Sequence, residues 1–439
     1  MNINEKYLQN LSTMIKADTV SYDEQPDKSK FYAFHELLKE LFPSLFSVVE
    51  LEVFDGSLLM KWKGKNPDAS PVMLMNHMDV VEAHGDWSHE PFCGEVFDGR
   101  LWGRGTLDNK GGLWGMLQAA DELAAEGFVP ETDLYFESAC TEEVGGEGAM
   151  EISQVLYDRG IRFSMILDEG GMIVSEPIAG AKGNFAMVGM GEKGCAELKF
   201  IARGNGGHAS TPDTDTPLVR LGKFMEEADS QKMFKAQLSP VIEEMFTRLA
   251  PHIDGYLGKV LANAKLFKPV ITAVMPKVSP TAGALLRTTI AFTMANGSEA
   301  RNVIPAEAWV VGNMRVSHHQ GYESSLAAIK KLAEKYDIET EVLTPSLDSP
   351  LADFNSEAFK QIEKAVSLAY PEVVTVPYVM TGASDGRFMG KLTDNCFRFV
   401  PFVISEKQME SVHGIDECVD LETLEPAVEF YKHLIRGIK

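Results

Sequence analysis

The chain has 439 residues, 45% of them hydrophobic and 24% charged, with 37 Gly and 21 Pro spread along it, a composition that argues against disorder or collagen-like character. Its 41 Lys and Arg against 64 Asp and Glu give a formal charge of −23, which repels nucleic-acid phosphates and anionic lipid head groups and argues against both as partners unless one face carries a local basic patch. The first residues are too polar for a signal peptide, no run of about 18 apolar residues occurs, and the five cysteines form no CxxC pair, so a cytoplasmic protein with reduced thiols is expected.

In chain order, FYAFHELLKELF is an amphipathic helix, PVMLMNHMDVV a short buried strand, LWGMLQAADELAAEG a helix, and DLYFESAC and FSMILDEGG two further buried strands. This alternation predicts an α/β layer fold. From about Gly194 the pattern becomes strand CAELKFIARG, a helix over 218–227, strands LLRTTIAFTMANG and EAWVVGNMRVS, helix YESSLAAIKKLAEKY and strand ETEVLTP. That order predicts an inserted ferredoxin-like α+β module, with an extra helical stretch near 231–265. The division expected is a mixed-sheet α/β domain over 1–193 and 347–439, interrupted by an inserted lid or dimerisation domain over 194–346. After the turn-rich TPSLDSPL, a helix over 356–368 and strands near Val373 and Phe397 complete it.

Five segments place ionisable residues beside glycines or at strand ends: NHMDVV, GRGTLDNKGG, TEEVGGEG, LDEGG and SVHGIDE. His77 and Asp79 are two apart on a strand and so share a face, where a carboxylate can fix the tautomer of a ligating imidazole. Asp108 lies in a loop before a helix and suits either a ligand or a helix cap. Adjacent Glu142 and Glu143 repel one another in a cleft unless a cation lies between them; in a solvated loop they need nothing. Asp168 is in phase with its buried strand, and Glu169 is expected to point away. His413 sits in a loop. Two histidines and three carboxylates suit a pair of divalent cations, zinc first and manganese or cobalt as alternatives, whose charge three carboxylates and one hydroxide would balance. Glu142 is then left over as a base.

These motifs, in order and spacing, together with GGHAS.P and RNVIPAEA, resemble the zinc-dependent aminoacylase and carboxypeptidase superfamily over nearly the whole chain. The resemblance implies that His77 and Asp168 bind one metal, Glu143 and His413 the other, and Asp108 bridges them. It implies further that Asp79 orients His77, that Glu142 is the general base, and that the Asp108–Asn109 peptide is cis. His208 in GNGGHAS, a turn histidine on local grounds, would by resemblance stabilise an oxyanion, often from a partner subunit. Asn302 would approach the substrate, Arg315 would grip its carboxylate as a bidentate fork, and Gly382, Ser384 and Arg387 of TGASDGRF would line the substrate pocket.

The function expected is therefore dizinc cleavage of dipeptides or short peptides with a free carboxylate. An N-acyl-amino-acid deacylase is the alternative, and a catalytically silent binding protein a remote one. A homodimer through the inserted domain is plausible on the same resemblance. No Walker motif, complete GxGxxG after a strand or GxSxG elbow occurs, which disfavours nucleotide enzymes and serine hydrolases.

Overall fold

The computed structural model describes residues 5–347 and 349–438. Its larger sheet has ten strands, ordered Val49–Phe54, Ser57–Trp62, Leu134–Ser138, Val72–Met75, Met165–Asp168, Cys396–Arg398, Asn184–Glu192, Ile173–Ser175 and Val403–Ile404, with Val374–Met380 also paired to Asn184–Glu192. Val72–Met75 runs parallel to both Leu134–Ser138 and Met165–Asp168, which in turn runs parallel to Cys396–Arg398. These strands are buried throughout, because helices cover both faces; hence they read in sequence as apolar runs without alternation. Helix Lys110–Ala125 packs on helices Leu424–Gly437 and Glu5–Lys16 and is buried along most of its length. Because the central strands are parallel, the segments that follow them, at Asn76, Ala139 and Glu169, leave from one sheet edge.

The inserted unit is a four-stranded antiparallel sheet in the order Thr289–Asn296, Glu307–Val316, Gly194–Arg203, Ile338–Thr344. Helices Pro217–Asp229 and Tyr322–Lys335 complete the ferredoxin-like β-α-β-β-α-β order. Ala196, Leu198, Phe200, Phe224, Met314 and Ile329 belong to a core separate from that of the larger sheet.

The extra helical stretch is longer than the sequence suggests. Helices Pro240–Leu249, Gly255–Ala262, Ala264–Val278 and Pro280–Leu286 fill it. Pro269 and Pro276, which argue against a helix in sequence, lie inside Ala264–Val278. Its apolar residues, among them Ile242, Phe246 and Ile271, cluster with Phe185, Met187 and Val376 of the larger sheet, so this part of the insertion is anchored on the α/β layer. No helix among the described residues is long and apolar enough to cross a membrane.

Candidate metal centre

The site grows from the sheet edge. His77 follows Val72–Met75 and is buried, with Nε2 3.0 Å from Asp108 Oδ1. Its Nδ1 faces the Asp79 backbone carbonyl at 3.0 Å and the Asp79 carboxylate at 3.3 Å. That carboxylate also accepts the Ser21 hydroxyl at 2.7 Å and the backbone N–H groups of Glu142 at 3.3 Å and Glu143 at 3.1 Å. One buried carboxylate thus orients the imidazole and holds the Glu142–Glu143 turn, as a partner behind a ligating histidine does. Asp108 precedes helix Lys110–Ala125, and its peptide bond to Asn109 is cis. A side chain at Gly112 would place Cβ 2.3 Å from both Asn109 Oδ1 and Asn76 Oδ1, so only glycine lets the helix start this close to the loop. His413, at φ 58, brings Nε2 to 3.0 Å from both Asp108 Oδ2 and Glu143 Oε2. Ligating atoms of His77, Asp108 and Glu143 lie within 4.8 Å of one another.

The electrostatics fit a cation. His413 is pushed up to about 10 by its hydrogen bonds to Asp108 and Glu143. Burial disfavours protonated His77, yet Asp108 and Asp79 outweigh it and raise its pKa well above the usual imidazole value. Glu142 is pushed up to about 8, first by burial and then by Glu143 and Asp108, with His77 and Arg387 opposing. Glu143 is likewise raised by burial and by Asp108, and its Oε1 is buried without a hydrogen-bond partner. Carboxylates crowded together out of water and imidazoles drawn toward the protonated state mark a place where a cation would be stabilised, and a set of imidazole nitrogens and carboxylate oxygens suits zinc and its neighbours.

One expectation is corrected here. Glu169 does not point away from the site: it is part-buried, and beyond burial its shift comes from Asp108 and Asp168, against His77. The chain leaves its strand at Asp168, so strict alternation no longer sets the direction of the next side chain. Asp168 is buried, with Oδ2 accepting the Gly386 backbone N–H at 2.6 Å, and burial raises its carboxyl against the pull of Arg398. Ser384 is wholly buried, its hydroxyl donating to Glu192 at 2.8 Å. Arg387 lies 3.5 Å from Glu142 Oε1 and donates to the Ser384 carbonyl at 2.8 Å and the Gly145 carbonyl at 3.0 Å, while Gly382 is exposed.

The Arg104–Glu417 pair escapes sequence reading. Glu417 Oε1 accepts the N–H groups of Gly105 at 3.1 Å, Leu107 at 2.7 Å and Asp108 at 3.1 Å. Its Oε2 takes Arg104 Nη1 at 2.5 Å, and Arg104 Nη2 donates to the Gly414 carbonyl at 2.6 Å. This buried pair fastens the loop of Asp108 to the loop of His413. The only signal was the glutamate four residues beyond His413 in SVHGIDE.

The profile of peptidase family M20/M25/M40 matches residues 73–437, from the strand before His77 to the last helix. The chain belongs to this family. Membership makes the M20 chain a hydrolase of peptide or amino-acid amides. It is 31% identical to probable carboxypeptidase S-like 2 of Dictyostelium discoideum, over 98% of this chain and 84% of that protein. It is 30% identical to the N-fatty-acyl-amino acid synthase/hydrolase PM20D1 of Xenopus tropicalis, over 97% and 85%. Among solved structures it shares the fold of the M20 family metallo-carboxypeptidase Sso-CP2 from Sulfolobus solfataricus, with TM-score 0.71, 15% identity and 98% of each chain covered.

Three predicted residues of this M20 chain stand apart from the cluster. His208 is exposed on the short strand Gly207–His208, with Nδ1 2.7 Å from the Ser210 hydroxyl. Asn302 is exposed beside it, its carbonyl accepting the Ala209 N–H at 2.9 Å. Arg315, on Glu307–Val316, donates from Nε to Asn313 Oδ1 at 3.0 Å. Among the described residues, no hydrogen bond or ion pair joins these three to His77, Asp108, Glu142, Glu143 or His413.

Proposed function

We propose that the chain is a two-metal amide hydrolase whose substrates are N-acylated amino acids with a free carboxylate, dipeptides and short peptides first among them. The observation that carries this reading is the convergence of His77, Asp108, Glu143 and His413 beside a fifth group, Glu142, that none of them needs. His77 and Asp108 would hold one divalent cation and Glu143, His413 and Asp108 the second, with a carboxylate of the Asp168–Glu169 pair completing the His77 side. When bound, such ions supply Lewis acidity to the scissile carbonyl and make a water acidic near neutral pH.

The chain's own groups do the rest. Glu142 accepts the proton of the attacking water at its carboxylate and returns it to the leaving nitrogen, which is the service of a general base and then a general acid. Asp79 keeps His77 turned by holding its Nδ1 and fixes the backbone under Glu142. Arg387, beside Glu142, restrains that carboxylate and lowers its pKa against burial. His208 donates to the developing oxyanion and Arg315 takes the substrate carboxylate, with Asn302 approaching from the same inserted unit, once that unit or a partner subunit's copy of it faces the cleft. In this reading the catalytic domain is 1–193 with 347–439, and 194–346 is the lid.

Both sequence relatives fit the proposed linkage. A carboxypeptidase substrate and an N-fatty-acyl amino acid share an amide whose nitrogen belongs to an amino acid with a free carboxylate, so the two readings differ only in the acyl half. The test is turnover of zinc- or manganese-loaded protein on free dipeptides in parallel with N-acetyl, N-succinyl and long-chain N-acyl amino acids, with Glu142→Ala as control. Faster dipeptide cleavage is the expected result; faster deacylation moves the assignment to an amino-acid deacylase, and no turnover with metal bound refutes both.

A further inference from the structure

Three of the four extra helices, Gly255–Ala262, Ala264–Val278 and Pro280–Leu286, depart in charge from the rest of the protein. From Gly255 to Ser298 there is no Asp or Glu, while Lys259, Lys265, Lys268, Lys277 and Arg287 fall within the same span of a chain whose net charge is −23. Helix Ala264–Val278 is also apolar beyond its core face. Ala264 and Ile271 face the core, with Phe267 and Met275 packed against it. Yet Leu266, Val270, Val274 and Val278, spaced four apart in a stripe that runs alongside that core face, are 76%, 55%, 48% and 75% exposed. Tyr256 and Leu257 on the preceding helix extend the patch, at 89% and 49% exposed. A helix that is hydrophobic all round is normally enclosed, and a continuous exposed stripe of this kind marks a surface that something covers.

Charge selects the occupant. A second copy packed about a two-fold axis on this stripe would bring together two copies of the same basic span, Lys259 to Lys277. No acidic side chain in this span would separate them. Lys268 is taken up by the Leu238 carbonyl and Glu243, whereas Lys259, Lys265 and Lys277 are exposed, and none of these three has an ion-pair partner among the described residues. Exposed apolar side chains flanked by unpaired lysines match a lipid surface carrying negative head groups: the valines and Leu266 enter the acyl boundary while the lysines meet the phosphates. The helix is too short to span, so it would lie in the plane of the interface. We propose that helices Gly255–Ala262 and Ala264–Val278 form a docking surface for anionic membranes. This is the local basic patch that the overall charge otherwise argues against, and it stands independently of the metal centre.

The test is co-sedimentation of the full chain with phosphatidylcholine vesicles containing phosphatidylglycerol, against vesicles of phosphatidylcholine alone, at low and high salt. Binding to the anionic vesicles that weakens with salt is expected. Val270→Asp with Val274→Asp, and separately Lys265→Glu with Lys277→Glu, should each weaken it about tenfold or more, since one basic residue near an anionic surface is worth roughly a fivefold factor. Thermal melting and sedimentation velocity of each variant control for folding and assembly. No binding to the anionic vesicles, or binding that neither pair of substitutions weakens, overturns the proposal. So does a protein that is dimeric in solution and that Val270→Asp with Val274→Asp makes monomeric, because a second copy would then be the occupant.

Discussion

The metal centre and the inserted sheet solve the placing of a side chain in different ways. At the centre, His77, Asp79, Glu142 and Glu143 follow adjacent parallel strands of one sheet, and Asp108 and His413 sit on loops that Glu417 and Arg104 tie together, so one framework holds the whole cluster. His208, Asn302 and Arg315 sit on a unit with its own core, and their partners are their own neighbours, Ser210, Ala209 and Asn313. In the proposed mechanism the first region is already assembled, and the second has to be brought to it. Changes in the first should therefore strike metal affinity or the chemical step, and changes in the second should strike turnover with metal content intact.

Glu142→Gln gives the largest expected effect, a loss of about a thousandfold or more in kcat with two metals per chain retained by elemental analysis. Full turnover in this variant would remove Glu142 from the chemistry. His208→Ala should cost roughly a hundredfold or more in kcat while zinc stoichiometry and melting temperature stay unchanged. An effect confined to metal content would place His208 at the centre and erase the contrast between the two regions.

Smaller effects separate the parts of the centre. Glu417→Gln keeps an acceptor for the N–H groups of Gly105, Leu107 and Asp108 but loses the charge opposite Arg104, and metal affinity measured by competition with a chelator should fall about tenfold. Comparing Asp168→Asn with Glu169→Gln by the same competition identifies which carboxylate completes the His77 side: the ligand costs the larger drop in affinity, and equal small drops would remove both.

The pH dependence of stability gives the gentlest probe. In metal-free protein the raised pKa of His413, about 10 against an ordinary 6.5, contributes stability that is fully present below pH 6.5 and is lost as pH rises through about 10. Asp108, held below its ordinary 3.8 against burial by His413 and His77, contributes stability present above pH 3.8 and lost as pH falls. The metal-free melting temperature should therefore decline from neutral to alkaline pH. Zinc should reverse the slope over the neutral range, because metal binds the deprotonated imidazole. A metal-free profile flat from pH 6.5 to 10 would contradict the His413 pairing.

Much of the cluster was legible because several of its side chains sit where apolar strand runs end in ionisable residues, a local pattern that survives without knowledge of contacts. Glu169 was misread for the same reason: alternation holds within Met165–Asp168 and stops with it. The contacts of Ser384 with Glu192 and of Arg387 with Glu142 were illegible, since they depend on which distant segments share the loop's surroundings. The helices over 240–286 were under-read: the expected stretch stopped near Lys265, whereas helix Ala264–Val278 continues through Pro269 and Pro276 and packs in one cluster with Phe185 and Val376 of the larger sheet.

By itself the sequence determined the α/β layering, the ferredoxin-like order of the insertion and the chemical types gathered at the centre, because hydrophobic period and residue identity are local properties of the chain. Only the tertiary structure brought His413 onto Asp108 and Glu143 and showed that Glu417 and Arg104 bind two loops of the cluster together. It alone left one apolar side of helix Ala264–Val278 in the open. These depend on distances between segments hundreds of residues apart, and burial, which sets both charge state and exposure, exists only once those segments have packed.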